Sequence, residues 1–306
     1  MVRVIPVSAP LEISKLASGP GVGSGPGFGE TRCSENLDFG IFKSYVPSMD
    51  EGWTRWTVDR YKFFFKNVGI YSRFCSAREY PVYKKQIMGN LRDEYLKAIV
   101  FPDQSPAQIL NGYAKGSMPD EYTGGIGKEG VENLKKFVEA GGTLVFLNRS
   151  SLFAIEQFNL PIKDVTKGLA RKDFYIPGSI LRTELDLTSP IAKGMPKESI
   201  AWFENGPAFE ILSAGSGSVP PAVAGGDLGA GQKAPPPTGG GTDKMEIRVI
   251  ARYPTDPKQI LLSGWALGAE KIAGKAAQVE VKMGNGRIIL FGFRPQYPLL
   301  FNAISN

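Results

Sequence analysis

Two adjacent serines, Ser150 and Ser151, stand where the sequence places a turn from a strand into a helix. The apolar run from 143 to 147 predicts a buried strand, and apolar residues at helical spacing after the serines predict a helix. A serine at such a turn could act as a nucleophile, with the helix N-terminus holding an oxyanion. A plain helix N-cap is the alternative role. Because ligands of open parallel sheets bind beyond the carboxyl ends of the strands, this turn marks the expected site.

The chain of 306 residues contains no histidine, so a Ser-His-Asp triad cannot form. A serine nucleophile would need another base, and Lys43, at the end of the first predicted strand, is the leading candidate. Asp103 and Glu204 also lie at predicted strand ends, where either could act as a general base or orient a water molecule. We favour the alternatives for these two carboxylates, which are backbone capping for Asp103 and an ion pair for Glu204.

Four further residues are candidates for binding a substrate. Arg294 could clamp a carboxylate, although a structural ion pair is the alternative. Asn148 lies in the turn before the serines, and Gln104 follows a predicted strand. Trp53 could line a cleft for a bulky aromatic substrate. Even so, the interpretation that we favour for the tryptophans places them in the core: Trp53, Trp56 and Trp265.

Composition excludes several classes of site. Cys33 and Cys75 are too few for a disulfide framework and form no CxxC pair. Without histidine a zinc site is not expected, and we predict no metal and no cofactor, although a Mg or Ca site made of carboxylates alone stays open. Cys75 could be a reactive thiol, but a small buried apolar side chain is the interpretation that we favour.

The net charge of +6 comes without a recognised nucleic-acid-binding motif, so we predict no nucleic-acid partner. No apolar run approaches the length of a membrane span, and no h-region of a signal peptide is evident. The predicted partner is a small-molecule or polymeric substrate with an ester or amide bond, and neither nucleic acid nor a membrane is expected. The oligomeric state is not predicted.

The chain divides by composition. Residues 1–36 contain a Gly/Pro-rich stretch that predicts a flexible segment, and residues 37–306 form the predicted domain. Within it, residues 213–244 are of low complexity and are expected to be a disordered loop. Predicted strands at 39–46, 68–71, 97–101 and 143–147 alternate with helices, one of which opens with a capping box of Ser105 and Gln108. This alternation continues to about residue 170 and predicts a parallel sheet. Later short strands, the first with Leu181, Thr183 and Leu185 alternating with polar residues, and the hairpin signal at 284–286 predict added antiparallel strands.

Several stretches together resemble one family: 45–56, 102–105, 137–145, 202–205 and 292–297. They are similar to the class I glutamine amidotransferase-like domain found at the C-terminus of bacterial zinc-carboxypeptidase-like proteins, from about Phe39 to the end of the chain. The resemblance implies an α/β fold with a flavodoxin-like, doubly wound, mostly parallel sheet, and a secreted or periplasmic location. Amidotransferases of this class use a Cys nucleophile with a His and a Glu. This chain has no His and no Cys at the turn, so glutaminase activity is not expected.

Two functions remain on this basis. The first is a weak, metal-independent hydrolase of ester or amide bonds, aromatic and polyester-like esters included, with a histidine-free site at the strand-to-helix turn. The alternative is a non-catalytic binding or accessory domain derived from an amidotransferase-like ancestor. The fold alone does not choose between them, and we lean towards the hydrolase.

Overall fold

A computed structural model of the chain describes residues 39–60, 81–82, 87, 91, 96–212, 245–295 and 297–305. The predictions for residues 1–36, for the low-complexity loop 213–244, for a strand at 68–71 and for both cysteines fall outside these residues. No described helix is long and apolar enough to cross a membrane.

Twelve strands in the described residues join into one mixed sheet. They are β1 (Phe39–Phe42), β2 (Pro81–Val82), β3 (Ala98–Phe101), β4 (Thr143–Leu147), β5 (Ile162–Asp164), β6 (Pro177–Leu185), β7 (Glu198–Glu204), β8 (Phe209–Ile211), β9 (Ile247–Arg252), β10 (Leu261–Ser263), β11 (Ala276–Met283) and β12 (Gly286–Phe291). Five of them lie side by side and parallel, in the order β2–β1–β3–β4–β12. Every residue of β1, β3 and β4 is buried, as expected where both faces of a sheet are covered.

The remaining strands extend this block antiparallel from β12 through β11, β9, β6 and β10, with β7 on β6 and the pair β5–β8 on β11. In β6, alternate residues are buried, which confirms the predicted alternation of Leu181, Thr183 and Leu185. Met283 pairs with Gly286, so the predicted hairpin is confirmed with a two-residue loop. The sequence did not indicate that β12 leaves this hairpin to pair in parallel with β4.

Five α-helices have their bounds among the described residues: α1 (Met49–Arg60), α2 (Pro106–Asn111), α3 (Gly127–Glu139), α4 (Ser150–Gln157) and α5 (Tyr297–Ser305). Ser48 Oγ accepts from the N–H of Glu51 (3.2 Å) and so caps α1. The predicted capping box of Ser105 and Gln108 at the start of α2 is present on both sides.

Stacked phenylalanines hold the strand ends in register. Phe42, Phe101 and Phe146 end or nearly end β1, β3 and β4, and their ring centroids are 4.8 and 4.6 Å apart along the row. Phe101 pairs with Phe146 in the sheet register. The residues that follow these rings therefore emerge at the same edge of the sheet.

Candidate functional site

Asp103 is the centre of a charged cluster at this edge, two residues beyond the end of β3. Its carboxylate is buried. Oδ1 accepts from the backbone N–H of Arg149 (3.2 Å) and from its Nε (2.9 Å), and Oδ2 accepts from Arg149 Nη2 (3.3 Å). Oδ2 also accepts from Asn148 Nδ2 (3.0 Å) and from Arg294 Nη2 (3.3 Å). These five hydrogen bonds occupy the lone pairs that a general base would need. The structure therefore favours the alternative for Asp103, in which it caps a backbone N–H and pairs with arginines.

Arg294 joins this carboxylate to two others. Its Nε and Nη2 donate to the two oxygens of Asp50, the latter over 3.0 Å, and its Nη1 donates to Glu204 Oε2 (2.7 Å). The hydrogen bonds to Asp50 hold the pKa of the Arg294 guanidinium above its usual value, against an opposing effect of burial. Because its N–H groups already donate to protein carboxylates, Arg294 forms structural ion pairs and does not act as a clamp for a substrate carboxylate.

Asn148 occupies the sharp turn between β4 and α4. Its φ is 53°, in the left-handed region that asparagine tolerates better than most residues. The side chain is fully buried, with Nδ2 donating to Asp103 and to the backbone oxygen of Glu204 (3.3 Å). A nucleophile elbow places its reactive residue on such a strained strand-to-helix turn. Here that backbone position carries an amide, which is not a nucleophile.

Ser150 and Ser151 lie two and three residues after Asn148, inside the fold. Both are fully buried. Ser150 Oγ is within hydrogen-bonding distance of the carbonyl oxygens of Phe101 (2.9 Å) and Leu147 (2.8 Å). Ser151 Oγ is within hydrogen-bonding distance of the carbonyl oxygens of Phe146 (3.2 Å) and Phe291 (2.9 Å). The hydroxyls fasten α4 to the ends of β3, β4 and β12, and neither serine is exposed at the surface for attack on a substrate.

The N-cap interpretation of these serines is wrong as well. The N-cap of α4 is Arg149, in a helical conformation and without a capping side-chain hydrogen bond. The sequence pattern located the turn correctly but not the residue at its apex, because apolar periodicity fixes a helix boundary only to within one or two residues.

Lys43 and Gln104 lie apart from the serines, at a cavity of about 300 Å³ between the ends of β1 and β3. Residues 42–48, Glu51, Pro102 and Gln104 line it. Gln104 is buried, and its Nε2 donates to the carbonyl oxygen of Val46 (3.1 Å), which ties the two loops together. The first strand was predicted to reach Val46 but ends at Phe42, since Ser44 Oγ accepts from the N–H of Val46 (3.0 Å) in a turn. That turn forms one wall of the cavity.

The prediction that the tryptophans belong to the core is wrong. Trp53 and Trp56 are 59% and 55% exposed, and Trp265 is 63% exposed. In α1 the buried positions belong instead to Glu51, Thr54 and Val58. Trp53 lines a second cavity of about 120 Å³ together with Asp50 and Arg294, beside the charged cluster.

Two members of the cluster, Asp50 and Arg149, were not predicted. Arg149 lies in the turn itself, directly after Asn148, so its position in the sequence could have identified it as a member of the cluster. Asp50 lies in the first turn of α1, where an acidic residue is ordinary for the helix dipole. Only the packing of α1 reveals that it faces Arg294. In the described residues no group of three or more His, Cys, Asp or Glu is arranged to hold a metal ion.

Comparison with known proteins gives structural similarities alone. No protein-family model matches the chain, and no curated protein matches it. Similar solved structures include a ThuA-like protein from Bacteroides uniformis, at 10% identity over 92% of this chain and 94% of that one, with a TM-score of 0.44.

Two further similar structures have different descriptions. One is described as a GMP synthase subunit from Thermoplasma acidophilum, at 11% identity over 89% of this chain and 94% of that one, with a TM-score of 0.43. The other is a β-galactosidase from Bacillus circulans, at 13% identity and a TM-score of 0.43, of which the match covers 30%, against 88% of this chain. All three TM-scores lie below 0.5, so the mixed α/β fold is argued from the strand order of this chain.

Proposed function

We propose that this chain is a non-catalytic binding domain, with a flavodoxin-like, amidotransferase-like frame, that holds a small polar molecule between the ends of β1 and β3. The observation that carries the proposal is the position of the cavity. The parallel strands run in the order β2–β1–β3–β4–β12, which corresponds to the flavodoxin-like order 2-1-3-4-5. In that order the chain reverses direction across the sheet between the first and third strands, where ligands of such folds bind.

The state of the reactive side chains favours binding over hydrolysis. Ser150 and Ser151 are buried and bonded to strand carbonyls, and the Asp103 carboxylate accepts five hydrogen bonds. Glu204 keeps a side chain that is 42% exposed, and its Oε2 accepts from Arg294 (2.7 Å). The ester or amide hydrolase therefore becomes the competing outcome of the test below.

The lining of the cavity indicates the chemistry of its ligand. Lys43 brings a cation, Gln104 an amide, and Ser44, Tyr45 and Ser48 hydroxyl groups, beside the apolar surfaces of Val46 and the neighbouring prolines. Glu51 adds a carboxylate, which pairs with Arg55 (2.9 Å). Small-molecule sites combine polar groups that orient the ligand with apolar surfaces that it covers. A small molecule with a carboxylate or another hydrogen-bond acceptor fits this lining.

A thermal-shift screen of small carboxylates, amides and hydroxy acids tests the proposal on the purified chain. We expect at least one compound to raise Tm in a concentration-dependent way. Val46→Trp, which fills the cavity, and Lys43→Met should abolish the shift. Lys163→Met, on an exposed position of β5 that does not line the cavity, should retain it.

The same preparations, together with the variant Glu204→Gln, are assayed with chromogenic esters and amides. Hydrolysis that is lost in Glu204→Gln but kept in Lys163→Met would overturn the non-catalytic assignment. A compound that shifts Val46→Trp as strongly as the unmodified chain would show that binding occurs elsewhere, and it would overturn the assignment of the cavity.

A further inference from the structure

All four tryptophans of the chain are displayed at the surface. Trp53, Trp56, Trp202 and Trp265 are 59%, 55%, 46% and 63% exposed. Tryptophan is highly buried on average, and a surface that exposes several large apolar side chains commonly marks an interaction site. Two of the four, Trp53 and Trp202, flank the charged cluster.

A continuous path leads from Trp202 to Trp53. A Cβ placed on Gly178 would lie 3.6 Å from Trp202 Cζ2 and 4.0 Å from Glu204 Cγ, so these two side chains lie next to each other on the outer face of β6 and β7. Glu204 is bonded to Arg294, and Arg294 to Asp50. Asp50 and Trp53 line one cavity with Arg294. We call this surface the tryptophan strip: Trp202, Glu204, Arg294, Asp50 and Trp53.

The charges between the two indole rings limit what can bind there. Arg294 donates through Nε, Nη1 and Nη2 to protein carboxylates, so it has little left to offer an anion. The strip holds two carboxylates to one guanidinium, which disfavours an anionic ligand further. A cation would have to compete with Arg294 for the same carboxylates. An uncharged ligand that both donates and accepts hydrogen bonds meets neither obstacle.

We propose that the tryptophan strip binds a neutral polysaccharide chain. The flat apolar faces of its sugar rings would lie on Trp202 and Trp53, since indole rings offer large rigid apolar surfaces at low entropic cost. Its hydroxyl groups would donate mainly to the partly exposed Glu204 carboxylate, which bonds Arg294 through Oε2. The Asp50 carboxylate is more buried, and both of its oxygens accept from Arg294. The ion pairs with Arg294 hold those carboxylates in place before binding, which reduces the entropy lost on association.

A protein partner fits the strip less well. The centre of a protein interface is depleted in charged residues, whereas the strip places Asp50, Glu204 and Arg294 between its aromatic anchors. Covering them with protein would remove the remaining water from these partly exposed charges, at a cost that their mutual pairing only partly offsets. Polysaccharide hydroxyl groups and the water around them keep those charges solvated.

The tryptophan strip and the proposed small-molecule cavity are made of different residues, so a test can contradict either proposal without affecting the other. The test titrates the full chain with soluble mixed-linkage β-glucan, galactomannan and arabinoxylan, and with anionic polygalacturonate for comparison. Tryptophan fluorescence and calorimetry report binding at low and high salt. We expect at least one neutral polysaccharide to bind with an affinity that salt does not change.

Three tryptophan-to-alanine variants distinguish binding at the tryptophan strip from nonspecific binding to exposed aromatic residues. Trp53→Ala and Trp202→Ala should each weaken binding by about tenfold or more, as expected for aromatic anchors. Trp265→Ala removes an equally exposed ring outside the strip and should leave the affinity unchanged. Melting curves verify that the variants are folded.

Four results would overturn the proposal. They are an absence of binding by every neutral polysaccharide, an equal loss in Trp265→Ala, salt-sensitive binding of polygalacturonate alone, and a dimer in sedimentation that Trp53→Ala and Trp202→Ala disrupt. The last result would assign the strip to a second copy of the chain.

Discussion

At the scale of single residues, one buried carboxylate organises the edge of the sheet. Asp103 receives donors from the turn after β4 and from the segment after β12, so three loops are fixed by one side chain. Buried ion pairs add little net stability compared with apolar packing, but they are costly to break on one side. The role of Asp103 is thus mainly to orient Arg149, Asn148 and Arg294.

Replacing Asp103 by alanine should lower the free energy of unfolding by about 3 kcal/mol, near the lower end of the cost of unpairing one side of a buried ion pair, because Arg149 and Arg294 partly reach solvent. Urea denaturation measures this loss. The matched change Glu204→Gln removes a half-exposed charge and should cost less than about 1 kcal/mol. Equal losses in the two variants would contradict the central role given to Asp103.

Most of these residues could be found from the sequence, but their roles could not. Asp103, Asn148 and Arg294 follow strands of the parallel block, whose carboxyl ends lie at one edge of the sheet. Glu204 ends β7, which belongs to the antiparallel part. Whether a carboxylate is a base or a paired ion depends on donors that come from distant segments. The serine hypothesis failed for the same reason, because the strand carbonyls that take up the two hydroxyls are defined only by the packing of α4.

At the scale of elements, α1 buries a largely polar face and exposes its aromatic residues, the reverse of what its composition predicts. Glu51, Thr54 and Val58 face inward. Trp53 and Trp56 face solvent, and their rings meet edge to face with centroids 5.9 Å apart. Thr54 Oγ1 donates to the carbonyl oxygen of Asp50 (2.7 Å), and Arg55 pairs with Glu51 (2.9 Å), so the inward polar groups are satisfied. A rule that places aromatic residues inside therefore gave the wrong face of this helix.

The loop after β7 approaches the loop after β12 so closely that only glycine fits. A Cβ at Gly206 would overlap the carbonyl oxygen of Gly292 and Asn148 Oδ1. Gly206→Ala should therefore destabilise the protein by about 1–3 kcal/mol, as overpacking against backbone does. Gly52→Ala is the control, since nothing lies within 4 Å of its added Cβ in α1, and it should stabilise by about 0.5–1 kcal/mol. Denaturant midpoints of both variants provide the measurement, and the prediction fails if the two changes have the same sign.

At the scale of the whole molecule, β12 joins the two halves of the sheet. It pairs antiparallel with β11 and parallel with β4. The hairpin could be predicted because its turn chemistry is local. The parallel pairing could not, because it brings together Thr143 and Arg287, which are 144 residues apart, and sequence periodicity carries no information about such partners.

The core of the antiparallel half contains a tyrosine that determines how the fold responds to alkali. Tyr253 is buried beside Phe203, and no group in the described part of the chain hydrogen-bonds its hydroxyl. Burial raises the pKa of Tyr253 above its usual value. The folded state thus favours the neutral phenol. The stability that this provides is complete below about pH 10 and is lost as the pH rises further, because the unfolded chain releases the proton first.

Tyr253→Phe should remove this part of the alkaline loss of stability. At neutral pH the variant should be as stable as the unmodified chain or more stable by about 1 kcal/mol, because a buried hydroxyl without a partner is costly. Urea midpoints measured from neutral pH to about pH 11 test both expectations, with Tyr113→Phe as the control for a tyrosine that reaches solvent. An alkaline decline that is equally steep in Tyr253→Phe, Tyr113→Phe and the unmodified chain would mean that other groups govern it.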